Sequence, residues 1–156
     1  MNNRILIAFN ESESAKRAVL FAADHFKKDH DITLFHVVPD TAAACGLNSP
    51  SLTPYFEKER STFCGMEEQR KFIVSDMLED ARTSLRSRGF ADESITVKIQ
   101  AQKDSIPSDI VNETKKEYGM IIMGRHSSSG IKDFFMGSTV QKVLHAVSKI
   151  PVIIID

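Results

Sequence analysis

The chain carries almost no net charge, only two cysteines and no long apolar run. Each shortage excludes something. Twenty basic residues against twenty-one acidic ones leave −1 over 156 residues, so there is no electrostatic footprint for nucleic acid or an anionic membrane. An anion bound here must be held by a few well-placed donors. No apolar stretch approaches the ~20 residues needed to span a bilayer. The first apolar run, broken by Asn10 and Glu11, is too short for a signal peptide. Cys45 and Cys64 read as two ordinary thiols in a reducing compartment, and the expected location is cytoplasmic. Two phosphate-binding fingerprints are also missing. No Gly-Lys-Ser/Thr closes a P-loop, and no Gly-x-Gly-x-x-Gly follows the first strand.

What is present alternates between two periods. Ile5 to Phe9 is a short apolar run of the buried-strand kind. Asn10 to Ser14 offers helix caps, and Ala15, Ala18, Val19, Ala22 and Phe26 then recur at helical spacing. Ile32 to Val38 is the next strand, ended by Pro39. This is a β-α-β unit, the building block of a parallel sheet.

From Asp40 to about Gly65 the pattern fails and predicts a surface excursion, with a helical turn near Tyr55 to Arg60. Helical spacing returns over 66–88, where Phe72, Ile73, Met77, Ala81 and Leu85 trace one face and Gly89 is the C-cap. Ile95 to Ile99 alternates as a strand. Pro107 sits at a helix N1 position, with Gly119 closing that helix, and Met120 to Met123 is a buried strand. Gly137 to Val147 reads as an amphipathic helix, Pro151 as its breaker, and Val152 to Ile155 as the last strand. Five strands alternating with four main helices predict one α/β domain over 1–156 with a mostly parallel sheet.

Ligands of such sheets bind outside the carboxyl ends of the strands. The informative end is Gly124-Arg125-His126-Ser127-Ser128-Ser129-Gly130, followed after 131–136 by Gly137-Ser138-Thr139 at a helix start. Gly124 lets a ligand approach the backbone. Gly137, Ser138 and Thr139 offer backbone N–H groups and hydroxyls to an anion at the positive end of a helix. Ordinary turn and cap chemistry uses the same residues.

Gly124-x-x-Ser127, nine residues, then Gly137-Ser138 resembles the Gly-x2-Gly-x9-Gly-Ser/Thr signature of the universal stress protein family. The resemblance extends along the whole chain. It takes in the turn Asn10 to Ser14, the strand Leu34-Phe35-His36-Val37-Val38-Pro39, the run Ile121 to Gly124 and the terminal Lys149 to Ile155. It implies a five-stranded parallel sheet in the order 3-2-1-4-5 with helices on both faces, the adenine-nucleotide α-hydrolase-like fold. It implies that ATP or AMP, with or without Mg²⁺, places its adenine and ribose near Ala8, Asn10, Val37 and Met123. The phosphates then lie over Gly124, His126, Ser127, Gly137, Ser138 and Thr139. Two residues depart from the family pattern: Asn10 stands for an aspartate, and Ser127 for the second glycine. The resemblance further implies a homodimer paired through strand 151–155, an apolar edge that invites another chain.

Other side chains have plainer readings. His126 reaches a phosphate or is a solvated loop residue, and Arg125 neutralises phosphate charge or points the other way along an extended segment. His36 is a partnered core or edge residue. Asp104 and Asp109 cap and solvate the turn around Pro107, and Phe134 to Met136 pack onto the sheet. No catalytic constellation and no metal-ligand spacing is found. Three functions are therefore expected to compete. The first is a homodimeric nucleotide-binding stress-response module that signals through an unidentified partner. The second is a slow ATP hydrolase. The third is a dimeric interaction scaffold that binds no nucleotide.

Overall fold

The computed structural model of the chain describes residues 2–40, 54–126 and 136–156. Strands β1 (Arg4–Ala8), β2 (Asp31–Val38), β3 (Ile95–Ala101), β4 (Met120–Gly124) and β5 (Val152–Ile155) form one sheet. Its order is β3-β2-β1-β4-β5, and every neighbouring pair is parallel. This is the sheet and the order expected. The register puts Ala8 beside both Phe35 and Met123, so the ends of β2, β1 and β4 lie side by side.

Side-chain alternation splits the core in two. Ile5, Ile7, Phe9, Ile32 and Leu34 face α1 (Glu13–His25) and α2 (Pro54–Ser87). Leu6, Ala8, Phe35, Val37, Ile121 and Met123 face α3 (Ile106–Thr114) and α4 (Ser138–Ala146). Strands covered on both faces have no solvent side, which is why β1, β2 and β4 read as continuous apolar runs. The small residues Ala15, Ala18 and Ala22 let α1 lie close against the sheet, and all three are buried.

Caps fix the helix ends. The Ser12 hydroxyl accepts from the Ala15 N–H at 3.1 Å and the Ser105 hydroxyl from the Ser108 N–H at 3.2 Å. At the end of α2 the Phe90 N–H donates to the Leu85 carbonyl and the Gly89 N–H to that of Arg86, at 3.2 and 3.0 Å. This is the Schellman pattern, with Gly89 at φ +99° as its left-handed residue.

Five expectations are corrected. Helix α2 begins at Pro54, not near 66: proline suits a first helical turn, and Gly65 is carried inside the helix. Its inward face is Val74, Leu78, Ala81 and Leu85, while Phe72 and Ile73 are exposed, at 70% and 53%. The true stripe is one residue out of phase with the apolar pair that suggested it. Helix α3 starts at Ile106 under the Ser105 cap, with Pro107 second, and stops at Thr114. Gly119 serves a different purpose, because a Cβ there would fall on the Asn2 carbonyl. Helix α4 has the expected span, with Gly137 and Val147 as its caps, but it ends before Pro151, which is therefore not its breaker. Cys64 is disulfide-bonded rather than an ordinary thiol; Cys45 lies outside the described residues. Among the described residues no helix is long and apolar enough to cross a membrane.

Candidate functional site

A cleft opens where β1, β2 and β4 end, and it straddles the edge of the sheet. On the α3/α4 side its walls are apolar: Val37, Ile106, Ile110, Met123 and Val140, with Ala8 at the floor. On the α1/α2 side they are polar: Glu11 and His36, with Arg70 and Lys71 reaching over from α2. Gly137 and Thr139 close the end beside α4.

The start of α4 is the chemically open feature. Helices α1 and α3 have serine caps, but the N-cap of α4 is Gly137, which has no side chain to accept from the first turn. The Gly137 N–H donates to the Arg125 carbonyl at 3.1 Å, and the first intrahelical bond runs from the Gln141 N–H to the Gly137 carbonyl. The N–H groups of Ser138, Thr139 and Val140 are thus the orphan donors of this helix, at the positive end of its dipole. An anion is the natural acceptor there.

Of the residues expected to line a site, Ala8, Asn10, Val37, Met123, Gly124, His126, Gly137 and Thr139 surround this one cleft. Ser138 is not among its lining side chains, and Ser127 lies outside the described residues, as do Phe134 and Phe135. Met136 packs against the α3/α4 core. Asp109 is buried and accepts from the Lys103 N–H at 2.7 Å, the capping role expected of it.

Three of these lining residues also make contacts that the sequence did not announce. Gly124 is needed by packing: a Cβ would stand 2.5 Å from the Ser14 hydroxyl oxygen. The carbonyl oxygen of Asn10 accepts from the Ser12 N–H at 3.0 Å, a bond that does not use its amide N–H₂. His126 lines the cleft, yet its Nε2 lies 3.0 Å from Asp156, whose other oxygen accepts from Arg125 at 3.2 Å. The bond from His126, aided by Arg125, holds the Asp156 carboxyl below its ordinary range.

On the α1/α2 wall His36 is the partnered core residue expected, while the Glu11–Arg70 pair was not foreseen. His36 is buried, its Nδ1 lies 2.9 Å from the Phe9 carbonyl, and burial pushes its pKa below the ordinary value. Glu11 is ion-paired with Arg70, whose Nε lies 2.5 Å from the carboxylate. Arg70 is 59 residues from Glu11 in the chain, so no local pattern could announce the pair. The alternation of β2 was the usable signal for His36: it shares parity with Ile32 and Leu34.

The chain matches the model of the universal stress protein family over residues 1–156. Among solved structures it is similar to the universal stress protein UspA from Lactobacillus plantarum, at 19% identity and a TM-score of 0.68, covering 99% of this chain and 98% of that one. It is similar to a universal stress protein from Archaeoglobus fulgidus at 17% identity and a TM-score of 0.64, over 98% and 97%. A universal stress protein in complex with cAMP matches at 16% identity and a TM-score of 0.57, over 97% and 94%. A search of curated proteins finds no match.

Proposed function

The chain belongs to the universal stress protein family, and from that premise we propose that it binds an adenine nucleotide, ATP or AMP, as a homodimeric cytoplasmic stress-signalling module. The observation that carries this reading is the uncapped start of α4 opening on a cleft whose opposite wall is apolar. A flat base fits among Val37, Ile110 and Met123, and a phosphate fits the N–H groups of Ser138, Thr139 and Val140. The likeness to a structure holding cAMP lends the ligand class further support.

Among the described residues no group of His, Cys, Asp or Glu could hold a metal ion. Where ATP is the ligand, Mg²⁺ comes with its phosphates. The one carboxylate among the lining residues, Glu11, is ion-paired with Arg70. An ion-paired carboxylate is a poorer general base, so among the described residues the cleft favours binding over turnover.

The dimer rests on β5, an edge strand of partly exposed apolar residues. Two such edges pair through their backbones and cover each other.

The reading is tested by acid extraction of protein purified without added nucleotide, followed by chromatography of the extract. Adenine nucleotide in proportion to protein is expected. An empty extract, from protein that also takes up no ATP when it is supplied, would leave the dimeric scaffold.

A further inference from the structure

We propose that the Asp156 carboxylate competes with the ligand's phosphate for the ring of His126, and so sets how tightly the cleft holds a nucleotide. The inference rests on the adenine-nucleotide reading above and names a residue that tunes the phosphate end of that site.

Three contacts place Asp156. One carboxylate oxygen lies 3.0 Å from the His126 Nε2, and the other accepts from Arg125 at 3.2 Å. Its main-chain oxygen accepts from the Arg17 Nε at 2.5 Å, so α1 holds the backbone just past β5. The bond from His126, then the charge of Arg125, keeps the carboxyl below its ordinary range. An ionised carboxylate can only accept. Nε2 of His126 therefore carries a proton and is a donor, whatever the state of Nδ1.

His126 and its two neighbours in this cluster stand differently toward the cleft. His126 lines it together with Gly124, Gly137 and Thr139, whereas Arg125 and Asp156 are not among the lining residues. The start of α4 is adjacent: the Arg125 carbonyl accepts from the N–H of Gly137, the N-cap of that helix, at 3.1 Å. The backbone of His126 is pinned as well, since its N–H donates to the Ser14 hydroxyl at 3.1 Å. What can turn is the ring. A turn about its side-chain torsions exchanges one acceptor, the carboxylate, for another, a phosphate oxygen.

The exchange costs the protein little. The Asp156 side chain is 68% exposed, so water takes the place of the ring, and Arg125 stays as the counter-ion. Left in place, the carboxylate both occupies the donor and repels a phosphate at the start of α4.

The test is calorimetric titration of the chain with ATP and with adenosine, which has the base and the sugar but no phosphate. Asp156→Asn keeps the size of the side chain and removes its charge, and at so exposed a position the fold is kept. This variant should bind ATP about twofold to fivefold more tightly than the parent, the range set by one exposed ion pair, and adenosine with parental affinity. His126→Ala should weaken ATP by a similar factor, and in that background Asp156→Asn should bring no gain. If His126→Ala does not fold, Asp156→Asn carries the test alone. An Asp156→Asn variant that binds ATP no better than the parent overturns the proposal, as does an equal gain for adenosine. An equal gain with and without His126 overturns it too, because Asp156 would then act only as a charge at a distance. A parent that binds neither ligand overturns the nucleotide reading itself, and this proposal with it.

Discussion

Gly124 ends β4 so close to the first turn of α1 that a Cβ there would stand 2.5 Å from the Ser14 hydroxyl oxygen and 2.6 Å from the Ala15 nitrogen. The same hydroxyl accepts from the His126 N–H at 3.1 Å. One glycine thus joins the α1 start to the strand end that borders the cleft. Gly124→Ala is expected to destabilise the fold by about 1–3 kcal/mol, the range for overpacking a tight site. Urea denaturation measures it. Full stability with lost nucleotide binding would instead make the glycine a ligand-approach residue.

Helix α2 gives a contrast within two turns. Leu78→Ala, at a position 2% exposed, should cost about 2–5 kcal/mol. Phe72→Lys, on the outer face, should change stability by less than about 0.5 kcal/mol. Thermal or urea unfolding of the two variants separates the observed stripe from the one the apolar pair Phe72-Ile73 suggests. A large loss for Phe72→Lys would contradict the observed phase.

This contrast shows what the sequence could and could not reveal. The strands were legible because burial on both faces left uninterrupted runs such as Ile5 to Ala8. The strand order came from the family resemblance, not from periodicity. Helix α2 was half legible: a proline and a glycine, Pro54 and Gly65, read as loop residues although both lie within one helix. In the site, the glycines and strand ends were found because their chemistry is local. The Glu11–Arg70 pair was invisible because it joins distant segments. At Gly124 packing and ligand approach demand the same absent Cβ, so the sequence alone could not separate them.

The carboxylate of Glu113 is buried and accepts from Lys98 and Lys116, each at 2.7 Å, and from the Tyr118 hydroxyl at 3.0 Å. Burial alone would raise its pKa, but the bonds from Lys116, Lys98 and Tyr118 outweigh it and hold the group below the ordinary carboxylate range. A carboxyl depressed in the folded state contributes stability that is present above the unfolded value. That contribution is lost as pH falls through the folded one. The unfolding free energy should therefore decline below about pH 4.3. In Glu113→Gln this part of the decline should be absent. Denaturation curves of parent and variant across that range check it, and parallel pH profiles would contradict it.

The edge of β5 makes a prediction about assembly. The Ile121 N–H donates to the Pro151 carbonyl and the Arg125 N–H to that of Ile155. In a parallel pair, alternate residues bond one neighbour, so 151, 153 and 155 serve β4 while Val152 and Ile154 present their backbone groups outward. Ile154→Pro removes one outward N–H and spares the β4 ladder. By sedimentation, the parent chain of 17.5 kDa should run as a dimer and the variant as a monomer. A monomeric parent would contradict the proposed interface.

The most direct test of the nucleotide reading is calorimetric titration with ATP and Mg²⁺ of the parent and of Gly137→Asp. The substitution puts a carboxylate at the N-cap of α4, where it would cap the open N–H groups and repel a phosphate. Micromolar binding by the parent, abolished in a variant that is at least as stable, is the predicted result. Equal binding by both would contradict a phosphate seat at α4, and no binding by nucleotide-free parent would contradict the nucleotide site altogether.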